Sequence, residues 1–121
     1  MQPLTVDFIC SLDGFGAAEG WPGWWGMESP EYLRWLDESP EKDHRTLGSV
    51  TLCRSLLNAG LVDRYRVVVF PVITGATGQD RIFDGYPDVR LELVQSRTFE
   101  GGSQLLEYVP TVLDGPPLGR P

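Results

Sequence analysis

Three short stretches combine residue types that could hold a ligand or move a proton. Ser11-Leu12-Asp13-Gly14 puts a hydroxyl and a carboxylate at the end of an apolar run. If that run is a strand of an open α/β sheet, its C-terminal end is where ligands sit, and Asp13 can face a pocket. The competing reading has Asp13 satisfying backbone donors of its own turn. Leu47-Gly48-Ser49 directly precedes an apolar helical pattern. Glycine lets a ligand approach there, and the free amides of Ser49, Val50 and Thr51 would point at an anion such as a phosphate. An ordinary serine N-cap explains the same residues equally well. Trp21, Trp24 and Trp25 bring three indoles together in a glycine-rich loop. They could line a cleft for a flat ring, form a small core of their own, or make a subunit contact.

Other chemistries fall away. There is no Gly-x-Ser-x-Gly elbow, and the only lysine, Lys42, follows no glycine-rich phosphate loop. Cys10 and Cys53 stand far apart in apolar stretches, and His44 is the sole histidine, so neither a metal site nor a redox pair is expected. Both cysteines read as small buried hydrophobes. Glu92 and Glu107 fall on presumed hairpin strands and read as solvated-face residues.

Charge narrows the partners. The net charge is −7, and the nine acids and two bases of residues 1–44 account for all of it. A chain without a basic stripe is a poor nucleic-acid ligand, because phosphate neutralisation needs clustered cations. No run approaches the roughly 18 apolar residues of a membrane span. Met1-Gln2-Pro3-Leu4 offers no basic lead into an apolar stretch, so no secretory leader is expected and the cytoplasm is the expected compartment.

The elements that must position these residues follow from periodicity. Leu4, Val6, Phe8 and Cys10 alternate, and Ile9 breaks the alternation, so the first strand should be buried on both faces. The segment from Phe15 to Met27 reads as a loop. Ser29-Pro30-Glu31 gives an N-cap, a first helical proline and a first-turn acid, ahead of Tyr32, Leu33, Trp35 and Leu36 on one face. Ser39-Pro40 should break that helix. A second helix runs from Ser49 through Val50, Leu52, Cys53, Leu56 and Leu57, closed by Gly60 in a left-handed conformation. Tyr65 to Thr74 suits a central strand, with Pro71 implying a bulge or an edge. Gly75 to Gly78 reads as a loop. Val89-Leu91-Leu93 and Gln104 to Val109 form a hairpin about Glu100-Gly101-Gly102-Ser103. The length of 121 residues suits one domain, residues 1–110, with 111–121 a mobile tail. The class is α/β with flanking helices and a C-terminal antiparallel hairpin.

As a set these segments resemble the dihydrofolate-reductase-like superfamily, and within it the reductase domain at the C-terminus of bifunctional riboflavin-synthesis proteins. The resemblance rests on Ser11-Leu12-Asp13-Gly14, Gly48-Ser49-x-x-Leu52, and Leu56-Leu57-x-Ala59-Gly60-Leu61-Val62-Asp63. It continues in Pro71-Val72-x-x-Gly75-x-x-Gly78, Arg81-Ile82-Phe83-Asp84-Gly85 and Leu93-x-x-Ser96-Arg97-Thr98-Phe99. It implies a truncated dihydrofolate-reductase-like sheet and an NADPH-dependent oxidoreductase that passes hydride to a small heterocyclic or sugar-linked substrate. By matched position Gly48, Ser49, Val50, Thr51 and Leu52 would contact the cofactor phosphates. Asp13 would sit at the nicotinamide–substrate junction as the catalytic residue. Ser11, Trp21, Trp24 and Trp25 would contact substrate, the tryptophan loop excluding water.

The chain departs from the family in lacking a Gly-Arg-x-Thr-Tyr segment and two strand–helix units before Gly48. Residues 41–44 join directly to Arg45-Thr46-Leu47, and Leu47 stands where the riboflavin enzymes carry an acid. Losing central strands uncovers sheet edges, so a homodimer or higher oligomer is expected. The alternative is a catalytically inactive, oligomeric binding or scaffold module built on the same fold.

Overall fold

The computed structural model describes residues 4–22, 25–38, 45–47 and 50–117. The first strand, β1 (Thr5–Ser11), is buried on both faces as its sequence predicts, with Ile9 half-buried. β2 (Phe15–Ala18) and β5 (Gly78–Arg81), far apart in sequence, pair antiparallel in a small sheet of their own. The remaining elements are α1 (Pro30–Glu38), β3 (Arg45–Leu47), α2 (Val50–Asn58), β4 (Arg64–Phe70), β6 (Val89–Thr98) and β7 (Gln104–Val112).

The main sheet has the order β3-β1-β4-β7-β6. β1 runs parallel to β3 and β4, and β7 is antiparallel to β4 and β6. Val6, Phe8, Cys10, Tyr65 and Val67 face α2 and pack on its Cys53 and Leu57. Val68, Phe70 and Leu105 face the other way, against Tyr32 of α1 and Phe99 of the β6–β7 turn. A five-stranded layer with one helix on each face is the α/β class that the periodicity predicts.

Local chemistry sets the helix ends. The Tyr32 amide donates to Ser29 Oγ at 3.1 Å, the predicted N-cap. Gly60 adopts φ +71°, its amide donating to Leu57 O and that of Leu61 to Leu56 O, so α2 closes in a Schellman motif. The α2 cap predicted at Ser49 and the break predicted at Ser39-Pro40 lie outside the described residues.

Five elements differ from expectation. β4 stops at Phe70, because Pro71 has no N–H for the ladder and Val72 N turns back to Phe70 O at 2.8 Å. β7 continues through Thr111 and Val112, residues expected in the tail. β2 occupies a segment read as a loop, β5 starts at Gly78 where the predicted loop ends, and β3 adds a three-residue edge; the sequence suggested neither β5 nor β3.

Candidate active site

The turn after β1 is locked by side chains. Ser11 Oγ donates to Asp13 Oδ1 at 2.5 Å and accepts from the Phe15 amide at 3.1 Å. The Thr74 amide donates to the same Asp13 oxygen at 3.2 Å, and Thr74 Oγ1 to Ser11 Oγ at 3.4 Å. The Ser11 hydroxyl, with the Thr74 amide behind it, holds the Asp13 carboxyl below the usual carboxylate range. Asp13 is therefore an exposed, ionised clasp joining the end of β1 to the loop after β4, and it accepts hydrogen bonds at neutral pH.

A cavity of about 290 Å³ opens further back along β1. β3 stops at Leu47, opposite Asp7, so beyond that point β1 has no neighbour on this edge among the described residues. The cavity wraps the open edge. Its floor is Asp7, Ile9 and Val68, and one wall is Trp21 with Tyr32, Trp35 and Leu36 of α1. Gly16, Asp80 and Ile82 of the small sheet and its flank close the other side, with Phe8 between. A volume near the lower end of the small-molecule range, walled by aromatic rings, suits one planar group.

Beneath Asp7 lies a buried ionic row. Arg66 is 2% exposed, with Nε 3.5 Å from Asp7 Oδ2 and 3.8 Å from Glu107 Oε1. Register causes this: Arg66 pairs with Asp7 on β1 and with Glu107 on β7, so all three side chains project from the same face. Gln95 Nε2 donates to Glu107 at 2.8 Å, and the guanidinium lies 5.6 Å from the Trp35 ring centre. Glu107, read as a solvated residue, is buried and ion-paired, whereas Glu92 is exposed.

The other sequence candidates sort by place. Trp21 lines the cavity, its ring 5.5 Å from that of Trp25. The Trp21 indole nitrogen is buried and has no hydrogen-bond partner among the described residues. Trp25 packs beside Met27 against the α1-side core. Thr51 and Leu52 are exposed in the first turn of α2, which Val50 opens; like Ser11 and Asp13, they are not among the residues that line the cavity. Gly48, Ser49 and Trp24 lie outside the described residues. Asp7, Tyr32 and Trp35 were missed as site residues. The available signal was an acid in a strand otherwise apolar on both faces.

Cys10 and Cys53 are buried free thiols, and burial pushes Cys10 up to about 12, so it stays protonated and inert. Among the described residues no group of His, Cys, Asp and Glu could hold a metal ion, and no helix is long and apolar enough to cross a membrane.

Comparison with known proteins follows these landmarks. Residues 26–105 match the family described as the RibD C-terminal domain. Over 78 residues the chain is 32% identical to the uncharacterized protein YyaP of Bacillus subtilis (strain 168), which is 64% of this chain and 41% of that one. The chain thus spans under half the length of this relative. Among solved structures, Acinetobacter baumannii RibD superposes with a TM-score of 0.66 at 13% identity, covering 92% of this chain and 58% of that one. A putative riboflavin biosynthesis protein from Shewanella sp. PV-4 superposes with a TM-score of 0.56 at 13% identity, covering 91% and 99%. At such identities the two structures share the fold.

Proposed function

This chain belongs to the RibD C-terminal domain family, and from that premise we propose that it is an NADPH-dependent reductase acting on a small heterocyclic or sugar-linked substrate. The observation that carries the reading is the aromatic cavity at the open edge of β1. It takes a planar ring between Trp21 and the α1 aromatics and shields it from water. The fit to the cofactor is that of its ring. Among the described residues the charged ones lining the cavity are Asp7 and Asp80, so the dinucleotide's phosphates belong outside it. They are assigned to the N-terminal end of α2, where Val50, Thr51 and Leu52 present first-turn amides. NADPH, when bound, supplies the hydride. The chain's own residues hold the ring, and the Asp13 clasp fixes the loop after β4 against the end of β1.

Titrating the chain with NADPH while following tryptophan fluorescence should give saturable quenching well below about 1 mM, the ordinary ceiling for enzyme substrates. Linear, unsaturated quenching through that range would reject the reductase reading. It would leave the second one, an inactive scaffold, which the exposed apolar edge described next favours. Two buried free thiols suit a reducing compartment, so the cytoplasm is the proposed location.

The partner proposed for that edge is a second copy of the chain. β6 ends the sheet, with Leu91, Leu93 and Val94 44%, 55% and 45% exposed. The register shift between Leu93 and Gln95 divides β6 into two regular stretches, of which Val89 to Leu93 carries the exposed leucines. Antiparallel self-pairing centred on Leu91 would set Arg90 of each copy opposite Glu92 of the other, and Val89 opposite Leu93. In sedimentation experiments Arg90→Glu should dissociate the dimer, and Arg90→Glu with Glu92→Arg should restore it. A dimer indifferent to the single reversal, or a monomeric wild type, overturns this interface.

A further inference from the structure

A second cavity, of about 360 Å³, lies on the α2 face of the sheet, and the reductase reading leaves it unused. We propose that it binds a small organic ammonium ion, held in a corner of aromatic rings with Asp88 as its counter-ion. Strand register builds the floor. Tyr65 pairs with Tyr108, and Tyr108 with Leu93, so Leu93, Leu91 and Val89 share the face on which α2 packs. Leu57 of α2 packs with Tyr65 on one side of the cavity, and Val89 and Leu91 form the other. The segment between β5 and β6 makes the wall. The Tyr86 amide donates to Phe83 O at 3.2 Å, Gly85 turns the chain at φ +77°, and the Leu113 amide donates to Asp88 O at 2.8 Å. Phe83 and Tyr86 consequently stand at 89° to each other, with ring centres 5.7 Å apart. Tyr86 meets Tyr65 in the same way, at 87° and 6.1 Å, and a 2.9 Å hydrogen bond between the two phenols fixes the corner.

A corner of this kind has a preferred guest. Phe83 lines the cavity yet is 51% exposed, so much of its ring has no protein neighbour. Aromatic faces are negative and attract a cation, whereas a neutral ligand of the same shape gains only its burial. Burial raises both phenols above their ordinary value, so the two tyrosine rings are uncharged at neutral pH. Other features have the same sign. The charged side chain among the described lining residues is the exposed carboxylate of Asp88. α2 ends beside the cavity with no basic residue in its last turn, and the negative end of a helix favours a cation. Arg54, whose guanidinium donates to Asp84 O at 3.1 Å, is not among the lining residues. A cavity of this volume falls within the small-molecule range. It is separate from the cofactor's path: the ring cavity is walled by α1 on the other face, and the phosphates are assigned to the opposite end of α2. Pairing of β6 through its backbone edge leaves this face of the strand open.

Choline and its uncharged carbon analogue dimethylbutanol have the same size and shape and differ in charge, so they isolate this preference. Each is titrated into the full chain at neutral pH while the amide resonances of Tyr86, Asp88 and Val89 and the indole resonance of Trp21 are followed. Choline should shift the three amides, leave the indole in place, and bind at least about tenfold tighter than dimethylbutanol, about 1.4 kcal/mol. Phe83→Leu keeps an apolar side chain and removes the aromatic face; Asp88→Asn removes the counter-ion. Both residues are exposed, so both variants should fold, and each should weaken choline severalfold with little change for dimethylbutanol. Saturating NADPH should leave choline bound. Equal affinity for the two probes, shifts at Trp21 in place of the three amides, or no binding of either probe overturns the proposal. So does a choline preference that neither substitution reduces, or displacement of choline by NADPH. Failure of NADPH to bind rejects the reductase reading alone, because the choline comparison does not depend on it.

Discussion

Arg66→Leu is expected to remove most of the chain's folded population. The substitution keeps an apolar side chain on β4 but deletes the cation between Asp7 and Glu107, both of which are buried. Breaking a buried ion pair by removing one partner costs about 3–5 kcal/mol, because the remaining charge is left without compensation. Here two carboxylates are left, on the strands flanking β4. A small domain has only about 5–15 kcal/mol of stability in total. Urea unfolding followed by circular dichroism should therefore show a large fall in the midpoint. Replacing all three charges together, Asp7→Val with Arg66→Leu and Glu107→Val, should recover much of the loss, because an apolar row needs no compensation. An Arg66→Leu protein as stable as wild type would mean that the guanidinium does not neutralise its neighbours.

That ionic row also shows where sequence reasoning runs out. β1, α1, α2, β4 and the β6–β7 hairpin were legible because each carries its own signal: alternation in Val6-Phe8-Cys10, a cap at Ser29, a left-handed stop at Gly60. β2 and β5 carry none. Phe-Gly-Ala-Ala and Gly-Gln-Asp-Arg are poor strand formers, and they pair because the locked turn after β1 brings Phe15 opposite Arg81. The site divides the same way. Asp13 was conspicuous at a strand end, and its geometry answers to the turn that it clasps. Asp7 sits directly opposite Arg66, a relation visible only after β1 and β4 are aligned. A lone acid in an alternating strand otherwise reads as a solvent-facing residue, and Glu107 misled in the same manner. Strands carrying −, + and − in the middle of apolar runs were the one clue that these charges pair with each other.

Phe99→Ala should detach α1, and with it one wall of the cavity. Phe99 is 2% exposed, and its ring lies 5.5 Å from Tyr32 edge-on and 5.6 Å from Trp35, the two aromatic residues that α1 contributes to the cavity. Tyr32 also meets Phe70 edge-on at 5.5 Å, and Arg97 stacks on Phe99 at 4.8 Å. Truncating a buried phenylalanine costs about 3–5 kcal/mol when the cavity left behind cannot collapse, and a cage of rigid rings collapses poorly. A polar strap remains: Glu31 accepts from the Glu100 amide at 2.7 Å and from Arg97 at 3.2 Å. The Glu100 amide and Arg97 hold the Glu31 carboxyl below its ordinary value, so the strap is at full strength above that value and weakens as pH falls through the lowered one. At neutral pH the variant should therefore keep its sheet while α1 loosens. Amide hydrogen exchange should accelerate in residues 32–38 far more than in β4, and NADPH quenching should weaken with it. Phe99→Leu, which fills most of the volume, should lose much less. Unchanged protection of α1 in Phe99→Ala would show that the helix is seated by the Glu31 strap and its other contacts, and that the aromatic wall stands without the hairpin beneath it.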